Sequence, residues 1–134
     1  MSEIREDLDG LRLRMPGSDS VWLVDKGKIR HIGSRESYDA LFSTWDNIHS
    51  DLDVNDIESG ESIPATAILF RCYDSPKVFL LDGVAPKQVK RHIVSRAVMS
   101  RFQFNWQRVH VWHVPLSAIK YPDGDPITKT GRPS

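Results

Sequence analysis

Residues 11–25 read LRLRMPGSDSVWLVD, and residues 68–82 read ILFRCYDSPKVFLLD. Laid over one another without a gap, they agree at five of 15 positions: Arg14/Arg71, Ser18/Ser75, Val21/Val78, Leu23/Leu80 and Asp25/Asp82. Beyond a four-residue insertion in the second copy, residues 30–49 lie over 91–110. Seven of those 20 positions agree: Arg30/Arg91, His31/His92, Ile32/Ile93, Ser34/Ser95, Arg35/Arg96, Trp45/Trp106 and His49/His110. Chance would give about two identities over the whole alignment, at ~6% per aligned pair. A looser echo sets Gly60-Glu-Ser-Ile63 against Gly124-Asp-Pro-Ile127. The chain therefore reads as a tandem duplication, repeat one over about 11–63 and repeat two over about 68–127. Two copies point to one domain with pseudo-two-fold symmetry, because an open solenoid usually needs three or more.

Each copy predicts the same local structure. An alternating strand (11–14; 68–71) leads into a turn rich in Pro, Gly, Asp and Ser. The runs 21–24 and 78–81 are apolar on both faces, the mark of a central strand. Asp25-Lys-Gly-Lys28 is a hairpin turn in which Gly27 is free to take a positive φ, and the return strand spans 29–32. The second hairpin is longer and carries Gly83 and Pro86. Ser34 and Ser95 stand where a hydroxyl can accept the free amide hydrogens of a first helical turn. Short helices are expected over about 35–42 and 96–102, giving a mainly β, α+β fold.

The 134 residues suit a single domain over 1–134, able to bury roughly two thirds of its unfolded surface. Composition is that of a globular chain, 40% hydrophobic and 27% charged. Eighteen bases balance 18 acids, which argues against non-specific nucleic-acid binding. No apolar run approaches the roughly 18 residues of a membrane span. The opening MSEIREDLDGLRLR is charged where a signal peptide is apolar, so the expectation is cytoplasmic unless the chain is released by another route. A single Cys72 leaves no internal disulfide and no cysteine-rich zinc site. Residues 1–10 and 128–134, charged or rich in turn formers, are expected to be loose.

Few constellations carry chemistry. Four of the five histidines match across the copies, but no His-x-x-x-His stands on a predicted helix. His110 and His113 fall on opposite faces of an alternating strand. No metal site and no cofactor are expected. Asp51-Leu-Asp53-Val-Asn55 opens like a calcium loop, then fails: Asp56 replaces the glycine and Ser62 the bidentate Glu. There is no Gly-x-Ser-x-Gly and no phosphate-cradling glycine loop. A carboxylate pair of Asp25 and Asp82 across a pseudo-dyad is one reading, though a turn position explains both without catalysis. No catalytic residue is assigned. The matched aromatics Trp22/Phe79 and Trp45/Trp106 read as a duplicated core. Trp112 has no partner in the first copy, and if the face of Val109 and Val111 is core it lies outside, beside His110, as a binding platform.

The recurring V-[WF]-L-[VL]-D…R-H-I-x-S-R resembles a short repeat, roughly V-Y-L-[VI]-D-x-G-x-K-R-x-I-x-S, of bacterial surface and secreted proteins. There it is often appended to cell-wall or carbohydrate-active enzymes. The resemblance rests on Val21, Leu23, Asp25, Gly27, Arg30, Ile32 and Ser34, and on Val78, Leu80, Asp82, Arg91, Ile93 and Ser95. It implies a non-catalytic, lectin-like module. In such a module Asp25, Arg30 and His31, with Asp82, Arg91 and His92, would be paired polar contacts to a glycan, with His110 and Trp112 beside them.

Neutrality in total hides an uneven distribution. Residues 46–61 hold six acids (Asp46, Asp51, Asp53, Asp56, Glu58, Glu61) and no Lys or Arg. Between Asp82 and Asp123 there are seven bases and no acid. Three readings stay open: the halves face one another within a molecule, an acidic face docks on the basic face of another copy as a homo-oligomer, or the basic half meets an acidic partner such as a phosphorylated polymer.

Overall fold

The computed structural model describes residues 2–131. Strands β1 (Arg12–Arg14), β2 (Val21–Asp25) and β3 (Lys28–Ile32) form an antiparallel sheet in that order, followed by helix α1 (Arg35–Asp39). Strands β4 (Ile68–Cys72), β5 (Val78–Asp82) and β6 (Val89–Ile93) lead into α2 (Arg96–Phe102) and β7 (Val109–Trp112). The second sheet has the order β6-β5-β4-β7, with β7 parallel to β4 and the other pairs antiparallel. The fold is mainly β with few short helices.

The local predictions for each hairpin and helix start are met. In the first hairpin Lys26 and Gly27 both take positive φ, 54° and 74°, the pair of values a tight two-residue turn demands. Gly83 takes φ 91° at the start of the longer one. The Ser34 hydroxyl accepts the Ser37 amide at 3.1 Å and the Ser95 hydroxyl accepts the Val98 amide at 3.3 Å. Helix α1 is shorter than expected, giving way to turns before Phe42.

Contacts outside the strands fall at aligned positions. Leu13 makes a parallel bridge to His49, where β4 and β7 pair Phe70 with His110. Ile32 bridges Ile63, and Ile93 bridges Ile127. The sheets nevertheless differ, because residues after His49 do not continue as a fourth strand.

The apolar faces of β2 and β5 have two destinations. One face of each enters a shared core: Leu23 and Ile32 meet Leu69, Leu80 and Ile93, closed by Tyr38, Leu41 and Phe42 from the first half and Val98, Met99, Phe102 and Phe104 from the second. Phe42 stacks on Phe104 with centroids 5.6 Å apart. The opposite face of each sheet has its own small cluster. Leu11, Leu13, Val24, Ile29, Val54 and Ile57 form one, and Phe70, Phe79 and Leu81 the other. This explains why both strands are apolar throughout.

Two expectations are corrected. Residues 2–10 are not a loose arm: Glu3 bridges Ile57, the Arg5 amide donates to the Gly27 carbonyl at 2.8 Å, and Glu6–Leu8 is a turn of 3-10 helix. Arg101 clamps the segment, its Nε donating to the Asp9 carbonyl at 2.6 Å. At the other end, residues 132–134 of the expected loose terminus lie outside the described residues. The second correction concerns Trp45 and Trp106. Neither is core, as they are 43% and 50% exposed, while Ile48 and Val109, three residues on, pack against the core. The aliphatic neighbours suggested burial, but the three-residue turn sends the indole outward.

Candidate functional site

Asp25 and Asp82 end β2 and β5, while Arg30 and Arg91 sit mid-strand in β3 and β6. Asp25 and Asp82 therefore lie on the same edge of the shared core, and the four side chains meet between the halves. Arg91 reaches both oxygens of Asp25, at 2.6 and 3.1 Å. Arg30 reaches both oxygens of Asp82, each at 2.8 Å. Within each half the bond is single: Arg30 to Asp25 at 2.9 Å, Arg91 to Asp82 at 3.2 Å. The remaining Nε atoms donate to the carbonyls of Glu61 and Asp125, both at 2.8 Å. Every nitrogen of both guanidiniums is engaged.

Electrostatics follow from this closure. Burial alone would raise the Asp82 carboxyl, but hydrogen bonds and charge from Arg30, backed by Arg91, overrule it and hold the pKa at about 2. Asp25 is likewise depressed, burial being outweighed by Arg91 first and Arg30 second. Both carboxylates stay ionised at neutral pH and have no proton to give. The cluster is a bolt between the halves, and its four side chains also line a cleft of about 540 Å³.

The other predicted residues separate. His31 and His92 face solvent-lined clefts and lean on their cross-strand aromatic partners: His31 on Trp22 with centroids 5.7 Å apart, His92 on Phe79 at 5.5 Å. Burial lowers the His92 pKa, with Lys77 adding to the shift, so its imidazole is neutral at pH 7. His110 is exposed on β7. Trp112 is not an outer platform: one face stacks on Phe70 with centroids 4.0 Å apart and planes 9° apart, and Tyr121 lies at 6.4 Å. The reason is that β4 is covered on both sides, so in the strand beside it Val109 packs against the shared core and Trp112 against Phe70, while His110 and Val111 are exposed. Among the described residues no three His, Cys, Asp or Glu side chains come together to hold a metal ion.

Two clefts emerge that the sequence did not single out. The first, of about 700 Å³, runs between the β2–β3 ends and the start of α1 and is ringed by Arg14, His31, Ser34, Arg35 and Trp45. The second, of about 970 Å³, is ringed by Arg71, His92, Ser95, Arg96 and Trp106. Every residue lining the first is aligned with one lining the second. Eight of the 12 identities between the two aligned stretches lie on these walls, and two more supply the Asp–Arg cluster. Only Leu23/Leu80, in the core, and His49/His110, at the parallel pairings, remain. The signal was present in the alignment as identical exposed-type residues (Arg, His, Ser, Trp), and the matched Trp pair was misread as core.

The walls have a consistent chemistry. The Arg35 guanidinium lies 5.5 Å from the centre of the Trp45 ring, and that of Arg96 lies 5.6 Å from Trp106. A second guanidinium, Arg14 or Arg71, and a histidine stand across the cleft. Such walls offer an aromatic face, fixed planar donors and positive charge. The clefts differ in finish. In the first, Tyr38 stacks under Trp45 at 3.9 Å and the Trp45 indole N–H donates to Asp39 at 2.9 Å. In the second, Met99 takes the place of Tyr38, and among the described residues the Trp106 indole N–H has no hydrogen-bond partner.

No helix among the described residues is long and apolar enough to cross a membrane. Compared with family models, with curated proteins and with solved structures, the chain has no match.

Proposed function

We propose that the chain is a tandem duplication with pseudo-two-fold symmetry that acts as a non-enzymatic carbohydrate-binding module, with one saccharide site in each cleft. The observation that carries this is where the identical residues stand. Duplicated copies drift apart unless something holds a position, and here the held positions around each cleft are an exposed Trp, two Arg, a His and two Ser, with a Val and an Ile beneath them. An exposed indole stacks on the apolar face of a sugar ring, and guanidinium forks bind paired oxygens. The Asp–Arg cluster has the supporting role of fixing the halves and so the spacing of the clefts.

A glycan array tests the reading. The wild type should bind a defined set of glycans, and Trp45→Ala with Trp106→Ala together should abolish that binding without loss of fold. Absence of binding to every glycan would sink it.

A second reading, self-association, is favoured by one observation. Of the acids in 46–61, Asp46, Asp51, Asp53, Asp56 and Glu61 are exposed, and among the described residues none pairs with Lys or Arg. An acidic strip of this kind could dock on the basic half of another copy in a head-to-tail contact. Light scattering at low and high salt checks it, since a monomer under both conditions excludes the contact.

A further inference from the structure

We infer that the Trp106 cleft is the tighter of the two sites and that it selects a saccharide carrying a carboxylate or sulfate. This rests on the carbohydrate reading above. Of the aligned positions at which the clefts differ, three bear on charge, hydrogen bonding and apolar wall. Lys77 replaces Ser20, so the second cleft has three bases (Arg71, Lys77, Arg96) against one acid, Asp74. The first has two, Arg14 and Arg35, against Asp19. Ser100 replaces Asp39, the acid that occupies the Trp45 indole N–H, which leaves the Trp106 N–H available to a ligand oxygen. Val111, aligned with Ser50, adds apolar wall beside a larger opening.

The charges are placed to be used. Arg96, Lys77 and Trp106 are exposed on the rim, and none of the three side chains forms an ion pair or hydrogen bond with another described residue. Elsewhere in this half three bases are committed, Arg91 to the buried cluster, Lys90 to Asp123 at 2.7 Å and Arg101 to the N-terminal segment, while Lys87, Arg108 and Lys120 stand outside this cleft. A guanidinium over an indole presents its edge for two parallel N–H···O bonds, the geometry a carboxylate or sulfate matches and a sugar hydroxyl does not.

Titration calorimetry with short uncapped oligosaccharides provides the test. One arm compares trigalacturonate with its methyl ester, and another compares a heparin hexasaccharide with its desulfated form; a poly-dT oligonucleotide is the third arm. Expected are two phases, with the acidic sugar bound about tenfold or more tighter than its neutral counterpart, in line with the greater strength of charge-assisted bonds. Trp106→Ala should remove the tight phase and Trp45→Ala the weak one. Trp106→Phe, which keeps the ring and loses only the N–H, should weaken the tight phase several-fold. Equal binding of charged and neutral forms, or loss of the tight phase in Trp45→Ala, overturns this inference and leaves the carbohydrate reading standing. Binding of none of the sugars, or of the oligonucleotide alone, also overturns this inference, and the glycan array decides the carbohydrate reading separately.

Discussion

Arg91 and Asp25, 66 residues apart in the chain, are joined by two hydrogen bonds of 2.6 and 3.1 Å, and both side chains are buried. Their aligned counterparts, Arg30 and Asp82, make the reciprocal fork. Each arginine thus gives its better geometry to the aspartate of the other half. A fork between halves ties down their relative position in a way that a contact within one hairpin cannot. Arg91→Met leaves the buried Asp25 with one partner, Arg30. Removing one member of a buried ion cluster strands a charge, at a cost of about 3–5 kcal/mol. Urea denaturation of the variant should show a loss of that size, and a loss below about 1 kcal/mol would mean the cluster does not hold the halves.

The same cluster sets the acid limit. Asp82 has its folded pKa at about 2 and Asp25 is also depressed, against 3.8 in the unfolded chain. For a depressed carboxylate the stabilising contribution is complete above the unfolded pKa and is lost as pH falls through the folded one. Stability should therefore hold down to about pH 4 and drop steeply between about 4 and 2. Thermal melts across that range check it. In the Arg91→Met variant the drop should start at the same pH, be smaller and be complete at higher pH.

Much of this architecture was legible before the structure. The Asp-Lys-Gly-Lys turn, the serines at both helix starts and the strand limits are local matters of backbone geometry, and local composition reads them. What eluded the sequence depends on which surfaces meet. Asp25 and Arg91 were legible as matched polar residues and read as contacts to a glycan, because nothing along the chain says that two hairpins bring them face to face. Trp45 and Trp106 were legible as matched, and only the turn after each helix reveals that they face outward. Arg12 shows the other side of the difficulty. It alternates like an outward strand residue, yet it is buried, donating to the Tyr38 hydroxyl and to the Thr44 carbonyl at 2.7 Å.

Asp9 moves the other way with pH. Burial raises its pKa to about 6, opposed by a hydrogen bond from the Gly27 amide at 2.7 Å and assisted by the charges of Asp25 and Glu6. A carboxyl raised in the folded state is bound more tightly there, so stability falls as pH rises between about 4 and 6. Asp9→Asn keeps the acceptor oxygen and removes the charge. The variant should gain about 1 kcal/mol over wild type at pH 7, since the group is only half-buried and solvent screens it. The gain should vanish near pH 4, a pattern that paired melts at the two pH values resolve.

Two tryptophans should answer oppositely to truncation. Trp112 stacks on Phe70 and neighbours Tyr121, so Trp112→Ala empties part of a packed cluster and should cost about 2–4 kcal/mol. Trp106, half-exposed with the Arg96 guanidinium 5.6 Å from its ring centre, should cost less than about 1 kcal/mol when cut to Ala. Chemical denaturation of the two single variants measures both. Equal losses would contradict the assignment of one to the core and the other to a cleft wall.

Gly27 offers a last test, of how the N-terminal segment is held. Its φ of 74° is costly for any residue with a Cβ, and a Cβ built there would stand 2.4 Å from the Ile4 side chain and 2.9 Å from the Arg5 amide nitrogen. Backbone on one side and a β-branched side chain on the other leave no easy escape. Gly27→Ala should therefore do two things at once: destabilise the turn by about 1–2 kcal/mol and push residues 3–6 off the hairpin, breaking the bond from the Arg5 amide to the Gly27 carbonyl. Hydrogen exchange separates the effects. Faster exchange at Arg5, with protection kept at Leu23 and Leu80 in the core, would show that the segment has been displaced while the fold persists. Unchanged protection at Arg5 would mean that the hairpin does not anchor the segment.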